Sequence, residues 1–171
     1  MYIEMVVGGL TIDPLTNSPV LILRDLKGEK TLPIWIGVLE ATSIATVLEK
    51  IDVGRPMTHD LLKTIVNDLG ARVLRVEICD LRDNTYYALL QLDQNGRCIQ
   101  IDSRPSDAIA IALRSGAPIF VLDTVLEKSK KEAESEKRST EAVNVATTED
   151  KEKLKEILEE LNPEDFGKYK M

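Results

Sequence analysis

The sequence predicts an α+β fold in which helices pack on a mixed, largely antiparallel sheet. Three observations favour this class. Short apolar segments are separated by turn signals, three other segments carry helix start and stop residues, and 43% of the 171 residues are hydrophobic. Aromatic residues make up only 4% of the chain, so the core must consist of Ile, Leu, Val and Ala side chains.

Three strands are predicted in the N-terminal part of the chain, at residues 2–12, 20–25 and 30–36. Lys27-Gly28-Glu29 supplies a hairpin turn between the second strand and the third. Pro33 has no N–H to donate to a neighbouring strand. We therefore expect the third strand to lie at an edge of the sheet or to be broken near Pro33.

Three helices are predicted, at residues 38–50, 59–69 and 105–115. Thr58 is expected to cap the second helix, and Gly70 suits its C-terminal end. Pro105 fits the first position of the third helix, where a missing N–H costs nothing, and Gly116 ends that helix. The third helix is apolar on most sides as far as Arg114, which predicts that it is buried.

Four further strands complete the predicted sheet. The first three, at residues 71–81, 85–93 and 97–102, form an antiparallel meander because Asp83-Asn84 and Asn95-Gly96 are turn signals. Residues 118–122 form a last, fully apolar strand. We therefore expect at least about five strands before residue 123.

The composition predicts three regions in the chain. Residues 1–126 form the domain, residues 127–149 are a charged helix extension and flexible linker, and residues 150–171 are an amphipathic helix and tail. One apolar stripe identifies the last helix; it consists of Leu154, Ile157, Leu158 and Leu161. A helix this short needs a partner surface, which either the same subunit or a neighbouring one would supply.

Charge and targeting signals restrict the function classes. The net charge is −7, which argues against a broad basic nucleic-acid surface. A local patch remains open, and the arginines available for it are Arg55, Arg72, Arg75, Arg97, Arg104 and Arg114. Neither a signal peptide nor a membrane span is recognisable, and the two cysteines are expected to be reduced, buried thiols. We expect a cytoplasmic protein without a membrane partner. The Lys- and Glu-rich tail is typical of a thermophile.

The chain has a single histidine, which excludes zinc sites rich in histidine and two-histidine phosphotransfer within one subunit. Phosphate-binding glycine loops and nucleophile elbows are also missing from the sequence. The search for chemistry therefore turns to polar residues in places that packing alone does not require.

Three segments contain such residues. Glu40 follows an apolar stretch near a helix N-terminus, where it is either a cap or a ligand to a substrate or metal. The second segment holds Arg55, Thr58, His59 and Asp60 at the start of a helix, and His59 is suited to acid or base chemistry near neutral pH. Thr58 and Asp60 are equally explained by helix capping.

The third segment runs from Asp102 to Asp107, between a strand and a buried helix. Carboxylates such as Asp102 and Asp107 can hold a hard divalent cation, and Arg104 and Ser106 lie between them in the sequence. The alternative is structural: Asp107 suits the first turn of the helix, and Asp102 and Arg104 form an ion pair.

These three segments resemble the signature segments of the bifunctional nuclease (BFN) domain family. The matching residues are Pro33 to Gly37 with Glu40-Ala41, then Arg55 to Leu61, then Tyr86 to Leu90 followed by Ile101 to Ala110. The resemblance covers about residues 1–126, and Leu161 to Phe166 also resembles an ending of bacterial members. It implies a BFN-domain-like α+β fold, DNase or RNase activity, nucleic acid as a partner, and a homo-oligomer, at least a dimer.

Two function hypotheses follow. The first is a metal-assisted phosphodiesterase, in which Asp102, Asp107 and Glu40 would hold Mg²⁺ or Mn²⁺. In that hypothesis Arg55, Arg104 and Ser106 would bind the phosphate, and His59 would act as general base or acid with Asp107 and Glu40 as its catalytic partners. The second is a non-enzymatic, oligomeric ligand-binding or regulatory module. Convergence of the three segments in one pocket would favour the enzyme.

Overall fold

The computed structural model describes residues 1–134, of which residues 1–130 form one compact unit. Seven strands make a single sheet in the spatial order β3-β2-β1-β7-β4-β5-β6. The strands are β1 (Tyr2–Ile12), β2 (Pro19–Asp25), β3 (Thr31–Trp35), β4 (Ala71–Arg82), β5 (Thr85–Gln94), β6 (Arg97–Ser103) and β7 (Ile119–Leu122). The predicted α+β fold is confirmed.

Neighbouring strands are antiparallel except for β4 and β7, which pair in parallel. The parallel pair arises because a helix lies between β6 and β7, so the chain crosses back to the middle of the sheet. Asn95 and Gly96 both have positive φ, as the tight turn between β5 and β6 requires. β3 is an edge strand, which accommodates Pro33 as predicted.

Four helical segments accompany the sheet. They are α1 (Val38–Leu48), α2 (Thr58–Asp68), α3 (Pro105–Ser115) and α4 (residues 123–134). Both α1 and α2 pack against α3, and α3 packs on β4 and β5. The α3 residues Ala108, Ile109, Ala110 and Ala112 have no exposed surface. The predicted burial of α3 is therefore confirmed, and α3 is the element on which the other two helices are positioned. No helix within residues 1–134 is long and apolar enough to cross a membrane.

Three sequence predictions differ from the structure: the N-cap of α2, the burial of the two cysteines and the start of the helix after β7. Thr58 is the first residue of α2, and the N-cap position is occupied by Met57. The Asp60 carboxylate accepts a 2.9 Å hydrogen bond from the backbone N–H of Met57 at the start of this helix. Cys98 is exposed, and Cys79 is half-buried.

The helix after β7 begins at residue 123, before the predicted boundary at 126, because Val125 and Leu126 are buried in the core. The charged extension and linker predicted for residues 127–149 lie outside the described residues from residue 135 onward, as do the whole amphipathic helix and tail predicted for residues 150–171.

Candidate functional site

A cavity of about 620 Å³ opens between α1, α2, the start of α3 and the end of β6. Its walls are largely aliphatic and include Leu39, Leu62, Leu90, Ile101 and Ile111. Its polar lining comes from all three predicted segments and includes Glu40, His59 and Asp107. An apolar cavity with a few convergent polar groups is the usual form of a small-molecule site.

His59 lies at the centre of the polar lining. Its Nδ1 atom is 2.8 Å from Ser43 Oγ, and its Nε2 atom is 3.1 Å from Asp107 Oδ1. The His59 side chain is 11% exposed, so both hydrogen bonds are largely shielded from water. Ser43, His59 and Asp107 therefore form one continuous hydrogen-bonded chain along the cavity wall.

Arg104 joins this chain to Glu40. Its Nε atom donates to Asp107 Oδ2 at 2.7 Å, and its Nη2 atom lies 2.9 Å from Glu40 Oε1. The Arg104 side chain is 66% exposed, so the guanidinium forms the rim of the cavity and not its floor. The two acids hold the guanidinium in place and raise the pKa of Arg104.

The starts of three helices converge here, which explains why these residue types occur at these positions. Glu40 is in the first turn of α1, His59 is the second residue of α2, and Asp107 is in the first turn of α3. The N-terminal ends of helices carry partial positive charge and favour acidic side chains. Gly37 leaves room for the Glu40 carboxylate, because a Cβ atom at that position would collide with Glu40 Oε2.

The charge of Asp107 is set by two opposing effects. Burial raises its pKa, but hydrogen bonds from Arg104 and His59 outweigh burial, and the net pKa lies below the usual value. Asp107 is therefore an ionised acceptor at neutral pH. Since an ionised carboxylate can only accept, the hydrogen in its bond with His59 belongs to Nε2.

A second network fixes the helices behind the cavity. Arg114, with a side chain only 4% exposed, donates from Nε to Asp60 Oδ1 at 2.6 Å. It also donates to the carbonyl oxygens of Ala110 and Ser43, at 3.0 and 3.2 Å. Arg114 of α3 therefore binds α1 and α2 together, next to the residues that line the cavity.

Acid should destabilise this fold, because Asp107 of the cavity network and Asp60 of the Arg114 network both have lowered pKa values. For Asp60, burial raises the pKa, but the hydrogen bonds from Arg114 and the Met57 N–H outweigh burial, and the net pKa lies below the usual value. A carboxyl whose pKa is lower in the folded protein than in the unfolded chain stabilises the fold above its unfolded pKa, which is near 3.8. It loses that contribution as the pH falls through the folded pKa. We expect the free energy of unfolding to fall steeply below about pH 4. Denaturant titrations at pH 7, 4 and 3 check this. If the free energy of unfolding depends on pH in Asp107→Asn as it does in the wild type, the assignment to Asp107 is contradicted.

The structure does not bring every predicted residue to the cavity. Arg55 lines a separate cavity of about 510 Å³, and Ser106 is buried outside the lining. Asp102 lines the main cavity and is exposed.

One residue of the network, Ser43, was not among the site residues that the sequence predicted. Ser43 follows Glu40 by three positions, which places the two on the same face of α1.

The carboxylate oxygens in the cavity are the groups that could bind a divalent cation. Both oxygens of Asp107 already accept hydrogen bonds, from His59 and Arg104. Within residues 1–134, no three His, Cys, Asp or Glu side chains come close enough together to share a metal ion. A cation at Asp107 would therefore have to share the carboxylate with His59 and Arg104, and with fewer than three such ligands in reach, residues 1–134 do not fit a tightly bound cation.

Comparisons with known proteins identify the family. The profile described as "Bifunctional nuclease domain" matches residues 21–135. The chain is 42% identical over 164 residues to an uncharacterized protein of Mycobacterium tuberculosis, an alignment that covers 95% of this chain and 97% of the relative.

Plant proteins are also similar. Bifunctional nuclease 1 of Arabidopsis thaliana is 31% identical over 93 residues, which is 53% of this chain and 29% of the plant protein. Bifunctional nuclease 2 of Oryza sativa subsp. japonica is 31% identical over 117 residues, 66% of this chain and 36% of the relative. With a profile match over most of its length and a pocket built from three convergent segments, the chain belongs to the bifunctional nuclease domain family.

Proposed function

We propose that this protein hydrolyses phosphodiester bonds of DNA or RNA, with the cavity between α1, α2 and α3 as its active site. Family membership supports the reaction class, since plant relatives carry the name bifunctional nuclease. The observation that carries the proposal is the convergence of His59, Asp107, Arg104 and Glu40 on one cavity. A base held by a carboxylate beside a cationic rim is suited to phosphoryl transfer.

Each residue has a role in this proposal. His59 moves the proton, and Asp107 orients its ring and stabilises the imidazolium form. Arg104 presents its exposed guanidinium to the phosphate and offsets the charge that develops on it. Glu40 holds Arg104 at the rim and is therefore a positioning residue.

The role of Arg104 gives a direct test. Arg104→Gln should lower kcat/KM for a single-stranded oligonucleotide by about ten- to a hundredfold, since a charged hydrogen bond contributes about 1.5–3 kcal/mol. Arg97→Gln is the matched control, because Arg97 is exposed on β6 and does not line the cavity. Equal activity of the two variants would contradict the assignment of Arg104.

Metal dependence is a separate question for the same assay. The sequence predicts Mg²⁺ or Mn²⁺ at Asp102 and Asp107, whereas both Asp107 oxygens already accept hydrogen bonds from His59 and Arg104. No step of the proposed mechanism passes through a metal. Activity should therefore persist when the purified protein is treated with EDTA. Complete loss on EDTA treatment, with recovery on added Mg²⁺ or Mn²⁺, would instead support a cation bound at Asp107.

A second candidate function is a ligand-binding or regulatory module without catalysis. The observation that favours it is that Glu40, Arg104, Asp107 and His59 satisfy one another, while the cavity wall is aliphatic. In that case a mononucleotide would bind in the cavity and be recovered unchanged. Calorimetric titration with the product analysed afterwards distinguishes the two functions.

We also propose that the protein associates with itself. The helix α2 and its C-cap residue expose four large aliphatic side chains, namely Leu61, Leu62, Ile65 and Leu69, at 53%, 40%, 44% and 68%. Apolar surface of this kind on one helix is typical of an interaction site. We expect light scattering to show at least a dimer at micromolar concentration, and a full-length monomer would contradict this.

The contribution of the tail to association requires a shortened chain. Truncation should follow residue 134, because Val125 and Leu126 belong to the core and a shorter chain that lacks them would lose part of it. If the chain that ends at residue 134 dimerises as tightly as the full chain, the tail is not part of the interface.

A further inference from the structure

The hydrogen-bonded chain through His59 has a defined direction. Asp107 is ionised and accepts the Nε2 hydrogen, as shown above. In neutral histidine the other ring nitrogen carries a lone pair and no hydrogen. When His59 is neutral, as a general base must be, the 2.8 Å contact at Nδ1 is a hydrogen bond that the Ser43 hydroxyl donates to His59.

This direction determines which proton His59 can remove. Both ring nitrogens are bonded to protein groups, and the basic one, Nδ1, faces Ser43 and not the open cavity. A water molecule attacking a phosphate would need that same nitrogen. The group that His59 is placed to deprotonate is therefore the hydroxyl of Ser43.

We propose that Ser43 is a nucleophile, activated by His59 and Asp107, that attacks a phosphoryl centre bound in the cavity. An activated nucleophile is recognised by a base within about 2.6–3.2 Å and by a third group that orients the base. Ser43 and His59 meet the first condition at 2.8 Å, and Asp107 meets the second. Such constellations are defined by geometry and role and not by order in the sequence.

The proposed reaction has two steps and rests on the proposed phosphodiester chemistry. Ser43 Oγ bonds to phosphorus, its proton passes to His59 Nδ1, and the bond from phosphorus to the leaving oxygen breaks. The leaving oxygen departs on the side of phosphorus opposite Ser43, takes a proton from a water molecule and becomes an alcohol. The hydroxide left by that water attacks the serine phosphodiester from the same side, Ser43 Oγ leaves and takes back its proton from His59, and a phosphate monoester is released.

The burial of Ser43 defines the substrate class. Ser43 is only 3% exposed, so a phosphodiester must enter the cavity to reach its hydroxyl. A cavity of about 620 Å³ is in the size range that holds one drug-sized group. The phosphates of an intact duplex remain at the cavity mouth. The accessible substrates are small diesters and the frayed or single-stranded ends of nucleic acid.

Covalent labelling tests the nucleophile without depending on nuclease turnover. Diisopropyl fluorophosphate transfers its phosphoryl group to an activated serine, with loss of fluoride. In the full-length protein we expect the adduct on the Ser43 peptide by mass spectrometry, at least tenfold faster than in His59→Gln. Ser103→Ala is the matched control: Ser103 lines the same cavity, but its hydroxyl is bonded to the Arg104 carbonyl, so labelling should be unchanged.

Two results would overturn the proposal: no adduct at Ser43 in the wild-type protein, or an equal rate of labelling in folded His59→Gln. Failure of the proposed function has a different pattern. If Ser43 is labelled through His59 but no nucleic acid is cleaved, the nucleophile stands and the nuclease assignment falls. If nucleic acid is cleaved and Ser43 is never labelled, the nuclease stands and the nucleophile falls.

Discussion

His59→Gln should lower kcat for oligonucleotide cleavage by about 10²–10⁴-fold, the contribution typical of a positioned general acid or base. Glutamine has nearly the reach of histidine and can still bond to Ser43 and Asp107, but it cannot take up a proton. The effect should therefore fall on kcat more than on KM. Because the chain contains one histidine, no other imidazole within a subunit can substitute.

Lys63→Gln is a suitable control for this experiment. Lys63 is on the same helix, α2, and does not line the cavity. Far-UV circular dichroism and the unfolding midpoint establish that both variants fold. An active His59→Gln protein, within threefold of wild type, would show that the imidazole is structural.

Asp60→Ala should destabilise the domain by about 3 kcal/mol, because it leaves the buried Arg114 guanidinium without its carboxylate. Arg114 is 4% exposed on its side chain, and solvent cannot easily replace the lost partner. The backbone carbonyls of Ser43 and Ala110 still accept from Arg114, which limits the loss. Urea unfolding followed by circular dichroism measures the change.

The double variant Asp60→Ala with Arg114→Met separates the ion pair from general disruption of the helix. Removing both charges avoids the unpaired cation, so the double variant should be more stable than Asp60→Ala alone. If the double variant is instead less stable than the wild type by the sum of the two single changes, the pair is not coupled. Arg114 then does not hold the helices together through Asp60.

Local signals were sufficient to predict the sheet and the first three helices. The turn at Asn95-Gly96 and the helix boundaries Pro105 and Gly116 are each specified by conformations that few other residues adopt. The early start of the last helix was not predictable in the same way. Asp123 and Thr124 are suitable helix-start residues, but the boundary is determined by the burial of Val125 and Leu126, which depends on tertiary packing.

The single residues of the candidate site could likewise be predicted from local signals, whereas their arrangement in space could not. Glu40, His59 and Asp107 were singled out because each is a polar residue near a helix N-terminus that follows an apolar or loop segment. Their convergence depends on how α1, α2 and α3 cross, which the sequence alone does not show. The same tertiary geometry pairs His59 with Ser43 and turns Arg55 toward a different cavity. The chemical roles of these residues remain predictions.

Cleavage of phosphodiester bonds in this cavity is tested by comparing the wild-type protein with a variant of its network. Wild-type protein and Asp107→Ala are purified identically, through several columns, and incubated with a 5′-labelled single-stranded oligonucleotide. Asp107→Ala removes the acceptor of both His59 and Arg104. We expect nuclease activity to follow the wild-type protein through every column and to fall at least a hundredfold in the folded variant. Equal activity in both preparations, or none in the wild type, would contradict it.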